Sequence, residues 1–385
     1  MITKVIGIGA AGNKAAINVI ENNIIDMDSV MLINSTLKDI PADYKGLKIQ
    51  YDGSYGGCGK ERSAAKELLE NNIMNDKIPL EKFLHIGQPD QAELVVIVTS
   101  TEGGTGSGSS VTLGNYIQNV FGIQVHMFGF IGFKSDVRGL KNTIEWFQEL
   151  EENFAVECVE NSKFLPECKD NKIKAEKAAN AEFAKKLGIL MGNPLRDSDH
   201  NIDPRDLLKI ATTEGFMFIE SVNFEKIKNK EQFETMVIDM IDKTKSLDIS
   251  EVKARKTAVI INIAEASTDY ISYEDILVER YGESYENYLH IQHEPDMPEF
   301  IAVIVAGVKM PVEEVQKIYN EYKTRLSRVD RQSDSFFSAS KNLELDDDTD
   351  LSLKENKTMS KADFFNKMKA KKEEPKAVKD KMSNY

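Results

Sequence analysis

Straight after an apolar, strand-length run, Leu94–Thr99, the chain reads Glu102-Gly103-Gly104-Thr105-Gly106-Ser107-Gly108-Ser109, and a helical pattern, Ser109–Phe121, follows directly. Four glycines interleaved with Thr and Ser make a nest of free backbone N–H groups, and the hydroxyls of Thr105, Ser107 and Ser109 add donors suited to phosphate oxygens. A flexible linker shares this composition. A strand on one side and an amphipathic helix on the other argue instead for a strand–turn–helix that holds an anion. No lysine follows at the P-loop position, so the segment is not a Walker site.

Two further loops have the same setting. Gly7-Ile8-Gly9-Ala10-Ala11-Gly12, followed by Asn13, lies between a strand, Lys4–Ile8, and a helix, Asn13–Asn22. It is a literal G-x-G-x-x-G, which alone fits any phosphate-binding turn or simply a tight turn that needs small residues. A dinucleotide site wants an acid at the end of the second strand for the ribose. That position holds Asn34, then Ser35 and Thr36, which counts against a nicotinamide or flavin oxidoreductase. The third loop, Ser54-Tyr55-Gly56-Gly57-Cys58-Gly59-Lys60, precedes a helix at Lys60–Asn72. Three such loops at the carboxyl ends of parallel strands converge on one polyphosphate.

The flanking pattern supplies those strands. Ser29–Asn34, Lys48–Tyr51, Gln124–Gly129 and Ala155–Val159 join the two already named, and their alternation with helices predicts a parallel sheet with crossover connections. Residues 173–191 read as one long helix, with Ala178, Ala181, Ala184, Leu187 and Met191 at three- and four-residue spacing. Helices are expected at 204–221 and 230–245. Strands Thr257–Ala264, Tyr288–His293 and Phe300–Val308, with a helix at Tyr273–Tyr281, read as a smaller mixed α/β unit, and Pro311 opens a helix at Val312–Arg328. The division expected is 1–172 for a nucleotide-binding domain, 173–200 for the central helix and its connection, 201–310 for a second domain, 311–329 for a C-terminal helix and 330–385 for a disordered tail.

Composition limits the partners. A net charge of −14 makes the body repel nucleic acid and anionic membrane. No apolar run approaches the ~18 residues of a membrane span. No basic-then-apolar export signal opens the chain, and Cys58, Cys158 and Cys168 show neither metal spacing nor a disulfide framework, so the expected setting is cytoplasmic. His85, His126, His200, His290 and His293 are scattered and form no metal set.

Gly103-Gly104-Thr105-Gly106-Ser107-Gly108 closely resembles the signature loop of the tubulin/FtsZ superfamily, and the order of the other pieces over roughly residues 1–310 resembles it too. The resemblance implies a Rossmann-like GTPase domain, a long central helix, a smaller mixed α/β second domain, and GTP or GDP with Mg²⁺ as ligands. Gly9, Ala10, Ala11, Gly12 and Asn13 then fill the first phosphate loop, Asn34 begins the Asn-Thr-Asp-like loop, and Gly56 and Gly57 sit in the loop that senses the γ-phosphate. Cys158-Val159-Glu160-Asn161-Ser162-Lys163 resembles the guanine-facing loop, with Asn161 on the base. Ala178-Ala179-Asn180-Ala181 resembles the start of the central helix, with Asn180 as a second base contact, although the next family position is often Asp and here is Ala181. Asp136 and Arg138 fall where the family contacts the ribose, on a loose match that surface charge would explain as well. Glu102 is a weaker metal-side candidate; the metal ligands are not legible. Glu294-Pro295-Asp296-Met297-Pro298 resembles a stretch of FtsZ-like second domains.

Asn201-Ile202-Asp203-Pro204-Arg205-Asp206 has first the properties of a helix start: Asp203 as N-cap, Pro204 as first residue, Asp206 as capping-box acid. It also resembles the family's N-x-D-x-x-D loop, whose acids reach the γ-phosphate of a neighbouring subunit. On that resemblance Asp203 and Asp206 orient the attacking water with Asn201 in support, and hydrolysis needs a head-to-tail contact of the kind that builds open filaments.

The segment Met359–Met382 is rich in lysine with Phe364, Phe365 and Met368 interleaved, so it reads as a solvated tail or as a handle for a DNA-bound adaptor. The apolar adaptor motif that ends division FtsZ tails is missing. A long helix followed by a basic tail is more like the plasmid and phage tubulins of the TubZ and PhuZ type, implying a role in DNA segregation or positioning. The alternatives are a division FtsZ with an unusual tail and a non-polymerising nucleotide-binding protein.

Overall fold

The computed structural model describes residues 1–54, 56–150, 154–198, 201–248 and 253–337, with side chains described as far as residue 329. The nucleotide half contains β1 (Thr3–Ile8), α1 (Gly9–Glu21), β2 (Val30–Asn34), β3 (Leu47–Gln50), α2 (Arg62–Met74), α3 (Leu80–Phe83), β4 (Leu94–Ser100), α4 (Gly104–Tyr116), β5 (Gln124–Ile131), α5 (Val137–Glu149) and β6 (Ala155–Glu160). Then come the central helix α6 (Lys172–Leu190), α7 (Pro204–Ala211), β7 (Gly215–Asn223), α8 (Lys230–Asp242), β8 (Lys256–Asn262), α9 (Glu274–Tyr281), β9 (Glu286–Gln292), β10 (Phe300–Val308) and α10 (Val312–Phe337).

The strands form one ten-stranded sheet in the order β3-β2-β1-β4-β5-β6-β7-β10-β8-β9. Strands β1 to β6 are parallel throughout, and β10 runs antiparallel to both β7 and β8. β1 is buried at every position, as expected of a parallel strand covered on both faces. Side chains alternate between two cores. Ile6, Ile8, Val95 and Ile97 pack beneath α2, α4 and α5, while Val5, Leu32, Val96 and Val98 pack beneath α1, α6 and α7.

Between β6 and β7 the sheet is barely joined. Only Ala155↔Gly215 and Val156↔Phe216 pair, and beyond them the segment 245–247 takes over: Glu160 N donates to Lys245 O and Leu247 N to Cys158 O. Lys186 of α6 fills the gap. It is 1% exposed, and its ammonium lies 2.9 Å from Glu157, 3.0 Å from Glu220 and 2.9 Å from Ser246 Oγ, with Glu182 at 3.7 Å. Burial lifts Glu157 to about 7 despite the ammonium beside it.

Three expectations need correction. Residues 204–221 are not one helix: α7 ends at Ala211 and the remainder is strand β7. Gly215, at φ +114°, opens β7, and a Cβ there would stand 2.6 Å from Val308 O. The apolar run Phe216–Ile219 is buried between β6 and β10, so packing chose strand over helix. Second, α5 lies where no helix was expected, capped by Asp136 and burying Leu140, Trp146 and Phe147. Third, α10 continues past Arg328 to Phe337. The segment Met359–Met382 lies outside the described residues.

Candidate functional site

Two helices begin inside the glycine loops rather than after them. α1 starts at Gly9 and α4 at Gly104, both earlier than the expected Asn13 and Ser109. Neither start has a side-chain cap or an acid in its first turn. Each is a 13-residue helix whose first N–H groups have no intrahelical acceptor and whose dipole favours an anion. The two starts face one another: Gly9, at φ +76°, would place a Cβ 3.1 Å from Gly106 N. Both follow the carboxyl ends of adjacent parallel strands, β1 and β4. Ala10, Ala11, Glu102 and Gly103 remain partly exposed at this mouth, while Gly12, Gly104, Thr105, Gly106, Ser107 and Gly108 are buried below it.

The surrounding loops are tied to these starts. Thr105 and Ser35 hydroxyls are 2.8 Å apart, Ser54 Oγ donates to Ser35 O at 2.6 Å, and Asn34 Oδ1 accepts from Ser35 N at 2.8 Å. Asn142 Nδ2 donates to Lys60 O at 3.0 Å and Glu102 O at 3.1 Å. Arg62, buried, reaches Ser107 O at 3.0 Å and Glu149 at 2.6 Å, so one side chain links α2, α4 and α5. Sequence reasoning named neither Arg62 nor Asn142; their partners are 39 or more residues away, with no local signal.

The remaining candidates fall as follows. Gly56 and Gly57 are exposed, with φ of +121° and +125° and open space where a Cβ would stand. Asn13 is fully buried and donates to Ile33 O, while its Oδ1 has no partner. Asn161, directly after β6, also has a buried Oδ1 without a partner. Asn180 is half-buried on α6, whose Ala175 and Ala179 pack in the same core as Ala15 and Ala16 of α1. Asp136 caps α5 by accepting from Gly139 N at 2.8 Å and pairs with Lys60 at 2.5 Å; Arg138 pairs with Glu61. Glu102 accepts from Lys134 N at 2.8 Å, and burial pushes its carboxyl up.

The three acid-loop candidates lie elsewhere. Asn193 contacts Ile24 O beyond the end of α1, and the Nδ1–H of buried His126, at the start of β5, donates to Ala211 O. Residues 193–198 and 201–211 therefore sit at the amino ends of the strands, across the sheet from the glycine loops. α6, 19 residues and so ~28 Å long, connects the two ends. Asn201 and Asp203 are exposed there and Asp206 is half-buried. Asp203 Oδ1 accepts from Arg205 N at 2.7 Å and Asp206 N at 2.8 Å, which holds its carboxyl below the usual carboxylate range. Asp206 pairs with Lys209 at 3.0 Å. Among the described residues no group of three or more His, Cys, Asp or Glu is placed to hold a metal, and no helix is long and apolar enough to cross a membrane.

This architecture is the tubulin/FtsZ fold. No family model and no curated protein matches the sequence. Solved structures do. The GTPγS-form protofilament of TubZ from Bacillus thuringiensis serovar israelensis superposes with a TM-score of 0.71 at 15% identity, over 88% of this chain and 94% of that one. The GTPγS-bound protofilament of CetZ2 from Haloferax volcanii gives 0.67 at 16%, over 86% and 100%. TubZ from Clostridium botulinum phage c-st gives 0.64 at 14%, over 85% and 98%.

Proposed function

We propose that this chain binds and hydrolyses GTP and assembles head to tail into filaments. The observation that carries the reading is the meeting of two uncapped helix starts, α1 at Gly9 and α4 at Gly104, over the ends of β1 and β4. Free N–H groups at Gly9, Ala10, Ala11 and Gly103 to Gly106 suit a polyphosphate. Asn161 and Asn13 fit the same ligand, because each has a buried carbonyl oxygen in want of a donor. In this reading Asn161 and Asn180 face the guanine, Asn34 the sugar–phosphate side, and Gly12 and Gly108 let the backbone pack closely. Asp136 stays a cap and ion-pair partner near the ribose side. Mg²⁺ prefers to keep several waters and take phosphate oxygens, so its entry with the nucleotide needs no all-protein cage.

Hydrolysis needs a water oriented towards the terminal phosphate. Asp203 and Asp206 stand at the opposite end of the sheet, so within one chain they cannot reach it. A second copy stacked head to tail brings them to it. Asp203 suits this role because both of its backbone bonds fall on Oδ1. The protofilament forms of TubZ and CetZ2 support self-association of a chain with this fold. Residues 1–172 then act as the nucleotide half, and 201–310 deliver the acids to the neighbour. A role in DNA segregation, through an adaptor held by the basic tail, is the finer reading.

The test is phosphate release by wild type, Asp203→Asn and Asp206→Asn at matched nucleotide occupancy. The reading expects both variants to bind GTP and assemble while releasing phosphate slowly. Full-rate release by both would refute the role of the acids.

A further inference from the structure

The turn that carries the two acids also carries an arginine. Arg205 stands between Asp203 and Asp206 as the second residue of α7, and its backbone is held: the proline ring before it has a fixed φ, and its own N–H donates to Asp203 Oδ1 at 2.7 Å. Ile202 and Leu207, buried on either side, anchor the turn in the core. The side chain is not held. Arg205 is exposed, and its guanidinium makes no ion pair or hydrogen bond with any described residue. The other arginine and lysine of residues 193–198 and 201–211 are engaged: Lys209 pairs with Asp206 at 3.0 Å, and Arg196 donates to Asn193 O at 3.0 Å and Leu195 O at 2.7 Å. Across the sheet, the cations beside the α4 start are engaged as well, Lys60 by Asp136, Arg138 by Glu61, Lys134 by Glu160 and Arg62 by Glu149.

We propose that Arg205 enters the nucleotide mouth of a second copy of this chain and donates its N–H groups to the terminal phosphate as that group is transferred to water. The inference rests on the head-to-tail GTPase reading above. Asp203 and Asp206 by themselves bring negative charge against a polyphosphate, and like charges at close range repel. An arginine on the same turn offsets that repulsion, and its planar fork matches phosphate oxygens. In the step itself the water oxygen bonds to the terminal phosphorus while the bond to the β–γ bridging oxygen breaks. GDP leaves with that electron pair, and a proton of the water passes to the Asp203 carboxylate and on to solvent. Charge gathers on the transferring group and the bridging oxygen, where a guanidinium stabilises it. Asp203 orients the water and Arg205 meets the charge, both from one turn of one helix.

The experiment measures GTPγS affinity below the assembly concentration, and phosphate release from GTP per assembled subunit above it, for wild type, R205Q, R205K and D203N. R205Q is expected to bind GTPγS as wild type does, because Arg205 lies across the sheet from its own chain's mouth, and to melt at the same midpoint. Its release per assembled subunit should fall about 100-fold or more. R205K, which keeps the charge but not the fork, should fall between R205Q and wild type. Co-assembly with wild type covers the case in which R205Q does not assemble by itself: release should then fall in proportion to the R205Q fraction. Full release per assembled subunit by R205Q, with or without a higher assembly threshold, overturns this inference alone when D203N is slow. Weaker GTPγS binding by unassembled R205Q overturns it too. Full release by D203N, or wild type that neither assembles nor hydrolyses GTP, overturns the parent reading and this inference with it.

Discussion

Gly9 and Gly106 meet below the mouth of the site, in tight contact: a Cβ on Gly9 would stand 3.1 Å from the Gly106 nitrogen. That contact brings the two helix starts together, and a side chain at Gly9 would press on it.

Gly106→Ala tests this packing. The new methyl would crowd the Thr99 hydroxyl and stand 2.9 Å from Ile8 O. Overpacking of this kind costs about 1–3 kcal/mol. Urea unfolding should show that loss, and nucleotide affinity should fall with it. Gly103→Ala is the contrast, since nothing lies within 4 Å of its Cβ position and its φ is ordinary. Its stability should stay within about 0.5 kcal/mol of wild type.

Asp203 caps α7, and the proposed function gives it a second, separable job. Asp203→Ala removes the α7 cap and should cost about 1 kcal/mol in stability. Asp203→Asn retains a capping oxygen and should leave the melting midpoint nearly unchanged. If the carboxylate also orients water, both variants lose roughly 100-fold in phosphate release. Thermal melts beside steady-state turnover separate cap from chemistry.

The Lys186 cluster should govern stability and its pH dependence. Lys186→Ala leaves Glu157 and Glu220 buried without their cation, a change that costs about 3–5 kcal/mol. Glu157 has a folded value of about 7 against an ordinary 4.5. Its folded form therefore binds a proton more tightly than its unfolded form. Its contribution is largest below pH 4.5 and is lost as pH rises through about 7. Chemical denaturation over that window should show wild type losing stability relative to Glu157→Gln.

Arg62 joins three helices behind the glycine start. Arg62→Lys cannot reproduce the forked contacts to Ser107 O, Glu149 and Glu145. Nucleotide affinity should drop several-fold in a titration, with the secondary structure intact by circular dichroism.

Much of this was legible in the sequence because parallel strands buried on both faces read as near-continuous apolar runs, as β2 and β4 do, and as β1 and β5 do apart from Thr3, Lys4, Gln124 and His126. The glycine loops were legible for a related reason: close approach of backbone excludes side chains. Their boundaries were not. Glycine is a poor helix former, so α4 was expected to begin at Ser109, but packing against Lys60 and Arg62 makes glycine obligatory inside the helix itself. β7 was misread because Phe216–Ile219 satisfies either period, and only its neighbours β6 and β10 decide. α5 was overlooked although Val137, Leu140, Ile144 and Phe147 recur at three- and four-residue spacing, so its apolar stripe was legible. The Lys186 cluster left no trace, since its partners come from β6, β7 and the 244–247 segment.

The central claim is that hydrolysis is completed only between subunits. The most direct measurement follows phosphate release and 90° light scattering together, with GTP and Mg²⁺, over a concentration series of the full chain. The account predicts that release switches on at the protein concentration where scattering first rises. Release proportional to protein from the lowest concentration, with no threshold and no assembly, would contradict it.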